Sequence, residues 1–133
     1  MPETKLQVGV KVLIKKENKY LFLRRHKNFK SGAPEWDIPG GRIEPEEALG
    51  DALARELHEE TALVLDKPAE LLVAQDIFVS SKSLHVVRLT YQATASGKVS
   101  ISDEHDLYKW MDLQEILSDP NVDSYLRKVL EDL

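Results

Sequence analysis

The chain contains no cysteine, so neither a disulfide nor a thiolate metal site can form within it. No stretch is long and apolar enough to span a bilayer. The opening residues, Met1 to Lys5, lack an apolar signal region, and together with the missing cysteines this leads to the expectation of a cytoplasmic protein. There is no internal repeat, no low-complexity segment and no linker rich in Pro, Gly or Ser. The 133 residues are therefore expected to form one domain, 1–133. Basic residues are not in excess: 18 Lys and Arg face 23 Asp and Glu, a net charge of −5. Such a surface repels nucleic-acid backbones, which disfavours a polymer-binding role. A small anionic substrate remains compatible, because bound cations invert a local field.

What is present fits a globular core: 42% of residues are hydrophobic and 31% charged. Residues 6–15, LQVGVKVLIK, alternate in part and carry Val, Leu and Ile, which predicts a strand. A short turn at ENK leads into YLFLRR, a second strand and the return of a hairpin. Residues 26–35 read as a loop. EWDIPGG reads as a short strand ending in a Pro-Gly-Gly turn. Helical character follows over residues 45–61, with Pro45 suited to the first helical position and Glu46 and Glu47 to the positive end of the dipole. Two strands follow over 69–80 and 83–95, then a loop at ISDEHD, a short strand at LYKWMD, a short helix at LQEIL and a last helix after Pro120. That order predicts an α/β fold, a mixed sheet covered by helices.

The central helix carries the informative pattern. With Ala48 set at zero, Ala52 falls near 40°, Leu49 near 100°, Leu53 near 140° and Leu57 near 180°, all roughly, at about 100° per residue. This apolar stripe faces the core. On the same wheel Glu59 lies near 20°, Glu56 near 80° and Glu60 near 120°, again roughly. These carboxylates continue the stripe, whereas Glu47 lies opposite it. Inward-facing carboxylates repel one another and lose hydration. Arg55 can pair with one of them across a helical turn. A divalent cation can offset all three, and hard oxygen donors suit Mg²⁺ or Mn²⁺. The adjacent Gly40 and Gly41 allow backbone to approach a ligand closely.

Spacing makes the pattern specific. Gly41 is followed after five residues by Glu47, and after seven more by Arg55-Glu56-Leu57-His58-Glu59-Glu60-Thr61-Ala62-Leu63. This resembles the Nudix box, G-x5-E-x7-R-E-U-x-E-E-x-G-U with U aliphatic, and departs from it only at Ala62, where the family has glycine. The resemblance implies a Nudix-type α/β/α sandwich with a mixed β-sheet. It implies Mg²⁺-dependent (or Mn²⁺-dependent) hydrolysis of a nucleoside diphosphate linked to another moiety. Glu56, Glu59 and Glu60 are then metal ligands, and a carbonyl of Gly40 or Gly41 adds a donor. Arg55 orients the carboxylates, and Glu47 is a structural ion-pair partner. Glu104, on the loop before the short Trp110 strand, binds metal or serves as base, so the general base lies among Glu59, Glu60 and Glu104. If the family's glycine adopts positive φ, alanine at position 62 costs about 1 kcal/mol or somewhat more.

Other residues carry weaker signals. The basic run from Arg24 to Lys30 is a candidate phosphate contact. Strand alternation lets only one of Arg24 and Arg25 face a pocket, and Arg24 is taken as substrate-binding together with Arg42. Trp36, Phe78 and Trp110 are expected in the core. His58 is expected on the surface, and His105 is left open. A nucleoside triphosphate or a modified nucleotide is the expected substrate. The alternatives are an ADP-sugar, a dinucleoside polyphosphate, or a non-catalytic nucleotide- or protein-binding role for the same module.

Overall fold

A computed structural model of the chain describes residues 3–25 and 34–133. Its central strand is β1 (Lys5–Lys16). Successive strand residues point to opposite faces. Val10, Val12 and Ile14 accordingly enter one core, and Leu13 enters the other. Strand β2 (Lys19–Arg25) returns antiparallel, with Lys16 opposite Lys19. It divides its side chains in the same way: Leu21 and Leu23 join Val12, while Tyr20 and Phe22 join Leu13. The expected hairpin is present, and both of its faces are apolar, so both need cover.

Helices provide it. Helix α1 (Leu49–Thr61) packs Ala52, Leu53 and Leu57 against the Val10–Val12 face. Helices α2 (Leu113–Leu117) and α3 (Ser124–Glu131) pack Ile116, Leu126, Val129 and Leu130 against the Leu13–Phe22 face, together with Trp36. Asp112 and Asp123 cap the two short helices by accepting from the Glu115 and Leu126 N–H groups. The remaining strands are β3 (Glu35–Asp37), β4 (Gly40–Arg42), β5 (Val64–Leu65), β6 (Glu70–Val79), β7 (Leu84–Ala93), β8 (Ala95–Ser96) and β9 (His105–Met111). The main sheet runs β3-β2-β1-β7-β6, with β4 also paired to β1 and β9 to β2. The β1–β7 pair is parallel and the other pairs are antiparallel. A mixed sheet with helices on both faces is the expected α/β/α sandwich.

One feature of this topology positions the site. On the side away from β7, β1 pairs first with β4 over Gly9 to Lys11 and then with β2 over Lys15 and Lys16. The sheet therefore forks beside Lys11.

Several expectations need correction. The Pro-Gly-Gly segment is not a simple turn, since Gly40 and Gly41 belong to β4. The helix starts at Leu49, not at Pro45. Glu46 takes φ 68°, and the Glu47 N–H donates to the Glu44 carbonyl, so residues 44–47 close a turn instead of a helical one. Leu49, expected on the apolar stripe, is the first residue of the helix and is exposed. Phe78 is 67% exposed because it points to the face of β6 opposite the buried Ile77; its ring packs on His85 at 4.5 Å. Trp36 is core as expected, and Trp110 is half-buried against the α1-side core. Most of the loop expected over residues 26–35, with the basic run at 26–30, lies outside the described residues.

The end of α1 carries a measurable strain. Ala62 caps the helix in the left-handed region, at φ 64° and ψ 5°, and its N–H donates to the His58 carbonyl. A Cβ is unfavourable in this conformation and a glycine is not. Ala62→Gly is expected to stabilise the protein by about 1 kcal/mol, which raises Tm by about 4 °C for a chain of this size. Thermal unfolding checks it; an unchanged or lower Tm contradicts the strain.

Candidate active site

Glu56, Glu59 and Glu60 sit on the last turns of α1, but they are not equivalent. Glu60 is 6% exposed, Glu56 is half-buried, and the Glu59 side chain is 57% exposed. The gradient follows the helical wheel. The buried stripe of α1 centres near 140°, so Glu60 points inward, Glu56 flanks it and Glu59 falls at the edge, all roughly. The expected inward convergence of all three holds fully only for Glu60.

Each carboxylate has a defined partner. The Gly40 N–H donates to Glu60 Oε2 at 2.9 Å. Arg55 Nη1 donates to Glu56 at 2.9 Å and reaches Glu59 at 3.4 Å. The Arg55 Nε and Nη2 atoms grip the two Glu47 oxygens at 2.8 and 3.0 Å, and Nη2 also donates to the Arg42 carbonyl at 3.3 Å. Glu47 in turn accepts the Glu44 N–H at 2.9 Å. Glu47 thus anchors Arg55, and Arg55 orients two of the box glutamates. The hydrogen bonds from Arg55 and Glu44 hold the Glu47 carboxyl down to about 2, and Glu47 raises Arg55 further above its usual range.

The two glycines make room. A Cβ on Gly41 would fall 2.6 Å from the Glu56 carboxylate. A Cβ on Gly40, which has φ 154°, would fall 2.0 Å from the Val10 carbonyl and 2.8 Å from the Lys11 side chain. Gly40 also reaches the site through its N–H.

Around Glu60 the electrostatics are unusual. Burial, opposed by the Gly40 hydrogen bond and the Lys11 charge but aided by Glu56 and Glu104, pushes its carboxyl up to about 8. His105 is buried with Nε2 at 3.8 Å from Glu60 Oε1, and burial lowers its pKa. Its Nδ1 is buried and has no hydrogen-bond partner among the described residues. Glu104 is exposed on the loop before β9, close enough for its charge to act on both Glu60 and His105.

The carboxylate set fits a hard divalent cation in its chemistry: oxygen donors only, anionic, and with one group buried deeply enough to resist ionisation. Among the described residues, no three His, Asp or Glu side chains are already grouped to enclose an ion. The reason is visible, because Arg55 draws Glu56 and Glu59 to itself while Gly40 holds Glu60.

A cleft leads away from Gly40 and Gly41. Its near part, about 180 Å³, is lined by Lys11, Arg25, Arg42 and Arg88 along with β1 and β4 backbone. Arg25 and Arg88 continue into a larger part of about 900 Å³, where Asp37, Ile77, Asp123 and Tyr125 join them. Of the two strand arginines it is Arg25 that faces the cleft. Arg24 points to the other side and pairs with Asp106 at 3.1 Å through two nitrogens. Arg42 lines the near part, and His58 is exposed. Sequence reasoning missed Lys11, Asp37 and Arg88, and took Arg24 where Arg25 faces the cleft. A lysine between Val10 and Val12 was the available signal for the first of them.

Comparison with known proteins agrees with this fold. The NUDIX domain model matches residues 5–133. A nucleoside triphosphatase NudI from Salmonella newport is 28% identical over 120 residues, covering 83% of this chain and 85% of the relative. A NudI from Klebsiella pneumoniae is 26% identical over 113 residues, covering 78% and 80%. A MutT protein from Methanosarcina mazei superimposes with a TM-score of 0.83 at 28% identity, covering 99% of this chain and 95% of the other. A MutT NUDIX hydrolase from Burkholderia pseudomallei superimposes with a TM-score of 0.84 at 27% identity, covering 97% and 98%. With its sandwich, its box glutamates and a family match over nearly the whole length, the chain belongs to the Nudix hydrolases.

Proposed function

We propose that this Nudix hydrolase is a Mg²⁺-dependent pyrophosphohydrolase of a nucleoside triphosphate or a modified nucleotide, with Mn²⁺ as a substitute ion. The observation that carries the reading is the position of Glu60, a buried carboxylate tied to Gly40 where an arginine-lined cleft begins. A polyphosphate needs cations along its length, and the cleft offers Arg25, Arg42 and Arg88. The larger part of the cleft has room for a nucleoside. Similarity to nucleoside triphosphatases supports a triphosphate over other nucleotide conjugates.

Glu56, Glu59 and Glu60 would hold the divalent ion, with Gly40 and Glu104 beside them. A bound ion of this kind supplies neutralisation of phosphate charge and a lowered pKa for water. The chain's own part is to place and to exchange protons. Glu59, Glu60 and Glu104 are the groups able to accept the proton of the attacking water. Arg55 keeps the carboxylates oriented and is itself fixed by Glu47.

The test is a panel of nucleoside triphosphates, modified triphosphates, ADP-sugars and dinucleoside polyphosphates with Mg²⁺, with products resolved as monophosphate, phosphate or pyrophosphate. The expected result is a nucleoside monophosphate and pyrophosphate from at least one triphosphate, abolished by chelator. Labelled water then reports which phosphorus is attacked. A folded protein that cleaves none of the panel contradicts the reading.

A further inference from the structure

Lys11 is a buried charge on an apolar strand. It lies on β1 between Val10 and Val12, is 8% exposed, and sits where the sheet forks. Its Nζ donates to Asp37 Oδ2 at 3.0 Å and to the Ile38 carbonyl at 3.3 Å. Asp37 is buried as well, and its other oxygen accepts the Ile38 N–H at 2.8 Å. Burial alone would raise the Asp37 carboxyl, but the Lys11 and Arg88 charges and the Ile38 N–H outweigh it, and the group stays below its usual range.

A buried ion pair is a weak source of stability, because desolvation offsets most of the attraction. What it does well is fix direction. Here both partners are tied to one short backbone segment. Lys11 holds the Ile38 carbonyl, Asp37 holds the Ile38 N–H, and two residues further on the Gly40 N–H holds Glu60. The strand register explains why that N–H is available. The β4 ladder runs from the Val12 N–H to the Pro39 carbonyl and from the Ile43 N–H to the Val8 carbonyl. Gly40 falls between, opposite Lys11, at a position whose N–H points out of the ladder. The missing Cβ of Gly40 leaves space for the Lys11 stem, since a methyl there would meet Lys11 Cδ at 2.8 Å.

We propose that Lys11 is a positioning residue: paired with Asp37, it clamps the backbone from Asp37 to Gly40 and so holds the Gly40 N–H on the Glu60 carboxylate. The role of Glu60 itself rests on the proposed function; the clamp does not. A purely structural ion pair would affect stability and leave the Gly40–Glu60 contact and metal binding unchanged.

The test uses Lys11→Met, which keeps an unbranched stem of similar length, with Lys11→Arg as the conservative variant. Three quantities are read. Amide hydrogen exchange at Gly40 in the metal-free protein is expected to speed up at least tenfold in Lys11→Met, while amides of the β1–β7 ladder stay within about twofold. Affinity for Mn²⁺ alone is expected to weaken about tenfold. Turnover of the best nucleotide is expected to fall ten- to a hundredfold with KM within threefold, and Lys11→Arg is expected to restore most of each. The clamp is overturned if Lys11→Met folds and leaves Gly40 exchange and Mn²⁺ affinity within twofold of the parent. It is also overturned if KM alone rises, which would place Lys11 on the substrate. If wild type binds no Mn²⁺, the proposed function fails, and the exchange data still decide the clamp. If Lys11→Met does not fold, Asp37→Asn and a Mg²⁺ titration of the ¹⁵N-labelled wild type take over. Faster Gly40 exchange in Asp37→Asn, and Gly40 and Lys11 Nζ resonances moving with one midpoint, support the clamp. Gly40 moving while Lys11 stays still overturns it.

Discussion

Glu60→Gln is expected to lower turnover by about 10²- to 10⁴-fold while leaving the fold intact. The substitution keeps size and shape, and the amide oxygen can still accept the Gly40 N–H, so the local backbone has no reason to move. What disappears is the negative charge of a buried carboxylate tied to Gly40 beside the cleft. Removing one strong anionic donor there weakens cation binding and removes a candidate proton acceptor in one step. Glu59→Gln is expected to act in the same direction. Its effect should be smaller where Glu59 only binds, because its side chain is more than half exposed and solvent screens its charge. Steady-state kinetics at saturating Mg²⁺, with circular dichroism as the control for folding, measure both. Near-normal turnover in both variants would remove these residues from the chemistry.

The second large effect concerns stability and pH. In the metal-free protein the Glu60 carboxyl is raised from 4.5 to about 8, chiefly by burial. The folded state therefore keeps a proton that the unfolded chain has already released. The contribution of Glu60 is therefore fully present below about pH 4.5 and is lost as pH rises to about 8. The loss is on the order of 3 kcal/mol across that window, allowing for relaxation around the charge. His105 works the other way, because burial keeps it neutral and its stabilising share grows as pH rises towards 6.5. Comparison with Glu60→Gln isolates the glutamate. Wild type without metal is expected to lose stability relative to Glu60→Gln between pH 5 and pH 8, and saturating Mg²⁺ is expected to erase most of the difference. Denaturant titrations at several pH values with chelator measure it. Parallel stability profiles for the two proteins would mean that Glu60 ionises without penalty.

The sequence made the sandwich legible because its strands stand out as apolar runs bounded by turn residues and its helices as apolar residues at helical spacing. The hairpin of β1 and β2, the long β6–β7 pair and the two C-terminal helices all follow from that pattern. The box spacing made Glu56, Glu59, Glu60, Arg55 and Glu47 legible as one group, and the structure joins all five through Arg55 and Gly40. The start of α1 was not legible, because proline and two glutamates favour a helical first turn as readily as the 44–47 turn that formed. The choice between Arg24 and Arg25 depended on the phase of a strand, which a single sequence leaves open. Lys11 and Asp37 are 26 residues apart and meet only because β4 doubles back beside β1. Local pattern carries no trace of such a contact. The graded burial of the three glutamates was half legible. The wheel gave their order around the helix, but only the packed sheet shows where its edge runs.

The most direct measurement is a crystal structure of the wild-type protein soaked in ample Mg²⁺. An ion coordinated by oxygens of Glu56 and Glu60, with Glu59 turned from Arg55 towards it, is the result this account predicts. Glu56 and Glu59 still held by Arg55, Glu60 still on Gly40 and no ion among them would contradict it.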